Sequence, residues 1–216
     1  MAQNPESPNQ IEPARIEALT GDLPDLVAEL SAKAEVMGKA LHPRAAANLA
    51  DLVRIMNTYY SNLIEGHNTR PRDIERALAG QKDEDQTDED KRDLLTEAVA
   101  HYRVQEAIDR AAQEGTLPDP ADPEFIRALH RDFYADASGA MLAIEGAGHR
   151  FVMTPGEWRS GSRQDVQVGR HLPPSSDQVP DFMAYFHSRF AFDPASGMRM
   201  TAVGPRRGKR ILAMAT

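Results

Sequence analysis

Between Leu49 and Ile64 the apolar residues Leu49, Leu52, Val53, Met56, Tyr60, Leu63 and Ile64 recur at the spacing of one helical face, and Gly66 closes the pattern. This run constrains the chain more than any other. With Pro43 suited to a first turn, it predicts a helix from about Arg44 to Glu65, roughly 30 Å long at 1.5 Å per residue. Shorter helical segments follow. Thr69 as N-cap, Pro71 in the first turn and Gly80 beyond the end bracket a helix carrying Ile74, Ala77 and Leu78. Leu94, Ala98, Tyr102, Gln105, Ile108 and Ala112 mark another, ending at Gly115 and opened by a capping box of Thr87 and Asp90. Asp122-Pro123-Glu124 starts a helix whose face is Phe125, Ile126, Leu129 and Phe133. The last one, after Asp177, carries Val179, Phe182, Met183, Phe186 and Phe190 as a core face.

Between these helices lies the strand signal: Arg150 to Thr154, the pair Pro155-Gly156, Glu157 to Arg159, and then Val166 to Val168. It predicts a hairpin with a long polar tip over about residues 150–168. Residues 1–20 form an expected disordered tail, since the first fifteen hold three prolines among Asn, Gln and Ser. Gln81 to Asp93, with seven acidic residues against three basic ones, reads as a solvated loop. The last twenty residues hold five basic side chains and no acidic one, and close on Ile211-Leu-Ala-Met-Ala-Thr216, the opening turns of an apolar helix.

Composition narrows the chemistry. The 216 residues include no cysteine, which removes disulfides, thiolate metal sites and cysteine nucleophiles, and fits a reducing compartment; a cytoplasmic location is the expectation. The net charge of −8 disfavours nonspecific nucleic-acid binding, and no apolar run reaches membrane-spanning length. The seven histidines include no pair three or four apart, so no helical metal site is expected. Gly204 to Lys209 has one residue too few between its glycines for a phosphate loop. His130-Arg131-Asp132 imitates a kinase catalytic loop, but Ala137 stands where a metal-binding Asn belongs, and the triplet reads as helix surface.

Ser61 and Glu65 lie four apart at the end of the long helix, so they share one side of its last turn, with the carboxylate facing the negative end of the helix dipole. Two readings of Glu65 follow. It is a solvated helix-end glutamate, or it awaits a cation, for which a guanidinium is the natural candidate.

Ser61-x-x-x-Glu65-Gly66 resembles the inhibitory-helix motif, Ser/Thr-x-x-x-Glu-Gly/Asn, of Fic-family proteins. Three further stretches resemble the same family in the same order: Ile126 to Arg131, Pro155-Gly-Glu-Trp-Arg159 leading to Val166 through Pro174, and Val179-Pro-Asp-Phe-Met183. The resemblance spans about Leu41 to Thr216. It implies a mainly helical Fic (Fido-type) domain with one β-hairpin flap. Residues 21–118 would be the N-terminal helical region, with the inhibitory helix at about 44–66, and residues 119–216 an incomplete core with the flap at about 150–168.

The implied activity is protein adenylylation, the transfer of AMP from ATP to a hydroxyl of a protein target, with Mg2+. In the family a loop H-x-F-x-D/E-G-N-G-R-x-x-R supplies the base, the magnesium-binding acid and the phosphate-cradling turn. The inhibitory glutamate pairs with the loop's second arginine, and Glu65 is the residue onto which that role carries. Phe151, Val152, Met153, Trp158 and Arg159 fall in the flap, which lines up a target segment by main-chain pairing. This chain contains no such catalytic loop, and neither Gly-Asn nor Asn-Gly occurs in it. The expectation is therefore a Fic domain ending before its catalytic loop, with ATP and Mg2+ belonging to the complete family member, no catalytic residue of its own, and a bare apolar face at Phe182, Phe186 and Phe190. The alternative is a noncatalytic interaction module, or an inhibitor supplying Glu65 in trans to another Fic core. A second copy of the chain is a further candidate partner.

Overall fold

Helices dominate the computed structural model of the chain, which describes residues 7–11, 21–81, 89–146, 149–167 and 169–191. Among these residues there are six α-helices: α1 (Leu23–Ala40), α2 (Pro43–Ile64), α3 (Pro71–Leu78), α4 (Glu89–Glu114), α5 (Pro123–Phe133) and α6 (Val179–Phe190). Two strands, β1 (Ala143–Gly146) and β2 (His149–Val152), form one antiparallel hairpin between α5 and α6. No helix is long and apolar enough to cross a membrane among the described residues.

Local chemistry explains most boundaries. Proline stands in the first turn of five of the helices, where its missing N–H is not needed. Asp122 caps α5 by accepting from the Glu124 N–H at 2.8 Å. Gly66, in a left-handed conformation at φ +85°, turns the chain out of α2, as the sequence requires. The expected Thr69 cap does not form. Arg70 occupies the N-cap of α3 without a side-chain bond, while Thr69 is buried and its hydroxyl finds no partner among the described residues.

α4 is the central element, in contact with α2, α3 and α5, and α6 leans on α5. The core cluster is Ile55 of α2, Ile74 of α3 and Ala98 of α4, with Tyr59, Leu78 and Tyr102 packed around it. Part of the expected tail is ordered: Pro8–Ile11 makes a single 3-10 turn against α6. α1 is not among the helices expected from the sequence, and it makes no extensive contact with another element. The capping box at Thr87 and the run from Gly197 to Thr216 lie outside the described residues.

Two features depart from what the sequence pattern suggests. On α2 the buried residues are Arg54, Ile55, Thr58 and Asn62, which lie roughly 180° around the helix from the apolar stripe at 100° per residue. Leu49, Leu52, Val53, Tyr60, Leu63 and Ile64 are all exposed, Ile64 to 83%. The polar side of α2 wins the contact with α4 because its side chains are bonded there: Arg54 donates to Asp51 at 2.6 Å and to Asp109 of α4 at 2.9 Å, and lies over the Tyr102 ring. Gln105 of α4 donates to Thr58 at 3.3 Å. The bare apolar surface is thus on α1 and α2 rather than on α6, where Phe182 is buried and Phe186 and Phe190 stack at 4.6 Å.

The second correction concerns the hairpin. β2 pairs with an upstream strand, in the register Ala143↔Val152, Ile144↔Phe151, Glu145↔Arg150 and Gly146↔His149. The Glu157–Arg159 and Val166–Gln167 segments form no strand, and Val168 lies outside the described residues. Two residues separate β1 from β2, a shorter closure than the downstream partner would need.

Candidate functional site

The end of α2 carries Ser61, Glu65 and Gly66, all exposed. Glu65 is the C-cap, and its N–H donates to the Ser61 carbonyl at 3.3 Å. No described cation pairs with its carboxylate. The same helix end hides polar atoms: Asn62 Nδ2, His67 Nδ1 and Thr69 Oγ1 are buried and without a hydrogen-bond partner among the described residues. Glu97 Oε2 of α4 lies 3.7 Å from His67 Nδ1.

The second feature is where α5 grips the turn after the hairpin. Arg127 and His130 lie three apart on α5 and so share a face. Arg127 Nε donates to the Gly156 carbonyl at 2.7 Å, and the Gly156 N–H donates to His130 Nδ1 at 2.8 Å. One peptide turn is therefore clamped at both its donor and its acceptor. Arg127 is itself steadied by Glu124 at 2.8 Å and by both oxygens of Glu157 at 2.9 Å. Accepting the amide bond requires Nδ1 to be unprotonated, and burial lowers the His130 pKa from its ordinary value. Gly156 sits at φ +81°, and a Cβ there would meet Arg131 Cβ at 2.9 Å and the Arg127 carbonyl at 3.1 Å. Glycine is the only residue that fits.

Beyond the clamp, Arg159 ties the long loop to the entry of α6. It donates to Ser176 Oγ at 2.9 Å and to the Pro174 carbonyl, while Asp165 accepts from the Ser176 N–H at 2.7 Å and Asp177 from the Gly161 N–H at 2.8 Å. Burial lowers the Arg159 pKa, and the Ser176 bonds lower that of Asp165. Arg159 is thus a loop staple, a role its sequence position did not disclose. Between α5, the hairpin and this loop lies a cavity of about 590 Å³ whose lining includes Ile126, Phe151, Met153, Trp158 and Val166. Phe151 and Met153 are partly buried while Val152 between them is exposed to 65%, the alternation of a one-sided strand.

The structure places the two sets of sequence candidates on different elements: Ser61, Glu65 and Gly66 end α2, whereas Phe151, Met153, Trp158 and Arg159 line the cavity beside α5 and Val152 is exposed outside that lining. Arg127, His130 and Gly156 were missed as a unit. The available signal was an Arg and a His three apart on one helix and a Pro-Gly turn downstream, and nothing local links them. Among the described residues, no three His, Asp or Glu side chains converge as metal ligands would. Comparison with protein-family models and with solved structures returns no match.

Proposed function

We propose that the chain is the regulatory and target-docking part of a Fic-type protein adenylyltransferase, with α2 as the inhibitory helix and Glu65 as its acting residue. The observation that carries this reading is the orientation of α2. Its polar side is bonded into the bundle, its apolar stripe from Leu49 to Ile64 is bare, and Glu65 stands exposed at the end of that helix. A helix held from behind in this way is ready to dock on a complementary core and to offer its carboxylate to an arginine there. The hairpin supports the docking half of the proposal. β2 pairs with β1 in a two-stranded sheet, and strand addition to a sheet edge is the docking mode the resemblance implies for the flap.

Because the chain contains no H-x-F-x-D/E-G-N-G-R loop, no step of AMP transfer is assigned to its residues; ATP and Mg2+ belong to the core on which α2 acts. The test mixes the purified chain with a Fic enzyme lacking its own inhibitory helix and follows AMP incorporation into a target protein. Wild-type chain lowers the rate, and Glu65→Gly does not. Equal rates in the two mixtures remove the inhibitory reading and leave the noncatalytic interaction module, whose partner binds along the hairpin edge. Labelling of a target by the chain alone would overturn both.

A further inference from the structure

α1 has an apolar stripe of its own. Leu23, Leu26, Leu30, Ala34 and Met37 follow at i, i+3, i+7, i+11 and i+14, within one side of the helix at 3.6 residues per turn, and Leu41 follows as its extended C-cap. In the fold this side is uncovered: Leu26 is 57% exposed, Leu30 69%, Met37 69% and Leu41 38%. Single exposed leucines need no explanation, but a stripe running the whole length of a helix does.

The stripe is close to symmetric about its own middle. Turned end for end, Leu26 falls opposite Met37 and Leu30 opposite Ala34, so each large side chain meets an apolar one and the bulk of Leu30 is matched to the small Ala34. The charges follow the same symmetry. Glu29 and Lys33 border one side of the stripe and pair with each other at 2.6 Å. In an antiparallel pair of identical helices that border meets its own copy reversed, which sets Lys33 beside Glu29 of the partner subunit and Glu29 beside the partner's Lys33. The opposite border, at Ser31 and Gly38, carries no charge.

We infer that α1 is a self-association element: two copies of the chain pair through antiparallel α1 helices centred near residue 32. Two such stripes face to face remove on the order of 1,000 Å² from water, at the lower end for a specific interface, so the dimer is a weak one with a dissociation constant on the order of micromolar. The pairing does not depend on the Fic reading. Its tests read mass and cross-linking rather than nucleotide transfer.

Sedimentation of the full chain over roughly two decades of micromolar concentration is the first experiment. The expected result is a shift from the 23.9 kDa monomer to twice that mass. Leu30→Glu abolishes the shift with the far-ultraviolet circular dichroism unchanged, whereas Ile64→Glu, on the bare face of α2, leaves it in place. Orientation is read from cysteines placed in this cysteine-free chain. At 1.5 Å per residue, Lys33→Cys lies within about 3 Å along the axis of its copy, and Asp22→Cys about 30 Å from its own. A short bismaleimide therefore joins copies at position 33 and not at 22. A monomer at every concentration, association insensitive to Leu30→Glu, or equal linking at both positions overturns the proposal.

Discussion

Arginine organises two junctions of this molecule in opposite ways. In the seam between α2 and α4, Arg54 is 8% exposed, anchored to Asp51 and Asp109 and covered by Tyr102. In the clamp between α5 and the Gly156 turn, Arg127 works near the surface, and its neighbour His130 completes the grip only while unprotonated. The seam joins two long helices through a buried guanidinium held by two half-exposed carboxylates. The clamp joins a helix to a loop through one fixed cation and one titratable ring. The contrast assigns rigidity to the helical bundle and conditional attachment to the hairpin and the loop that follows it.

The comparison breaks most directly at Arg54. Arg54→Ala removes two charge-assisted bonds and the packing of the side chain on Tyr102, and is expected to cost about 3 kcal/mol in denaturant unfolding. A cost within 0.5 kcal/mol of zero, about what a surface substitution gives, would show that the seam is held by Ile55, Ile74 and Ala98 alone. Gly156→Ala comes next, at about 2 kcal/mol, because it adds both a left-handed backbone penalty and a close approach to Arg131 and the Arg127 carbonyl. Hydrogen exchange should place that loss in the 153–167 loop and leave α2 and α4 protected.

A pH titration sharpens the contrast. Because burial lowers the His130 pKa below about 6.5, the unfolded chain takes up the proton first, so the clamp's contribution is complete above that value. It is lost as the pH falls through the lower, folded value. His101, lowered by burial on α4, shifts stability in the same direction. The His130 share is therefore read from the gap in melting temperature between wild type and His130→Ala, which narrows as the pH drops from 7 towards 5. A constant gap would mean that the amide bond contributes nothing. The smallest effect is expected at Thr69→Val, which replaces a buried hydroxyl lacking a partner and leaves stability unchanged or raises it by up to about 1 kcal/mol.

How much of this could be read in advance differs by feature. α2 was legible nearly to the residue, from Pro43 to Ile64, because proline entry, apolar spacing and a glycine exit are all local signals. α5 was legible for the same reason through Asp122 and Pro123, and α6 through its spaced phenylalanines. The hairpin was half legible: Phe151 and Val152 are in a strand as expected, but the partner is Ala143–Gly146, whose small residues carry little strand signal. Which side of α2 faces inward was not legible at all. Apolar periodicity marks a face that can be buried, whereas Arg54 and Thr58 face inward because Asp109 and Gln105 on α4, almost fifty residues or more away in the chain, are there to bond them.

What the sequence by itself determined is therefore the helical character of the chain, the ends of its main helices and the position of Glu65 on the last turn of α2. Each of these depends on residues within a turn or two of one another. The tertiary structure alone decided that α2 keeps its apolar stripe outside, that Arg159 staples a loop, and that Arg127 and His130 close on Gly156. Those outcomes depend on partners 15 to 55 residues apart, whose meeting is fixed by the packing of whole elements and leaves no local trace.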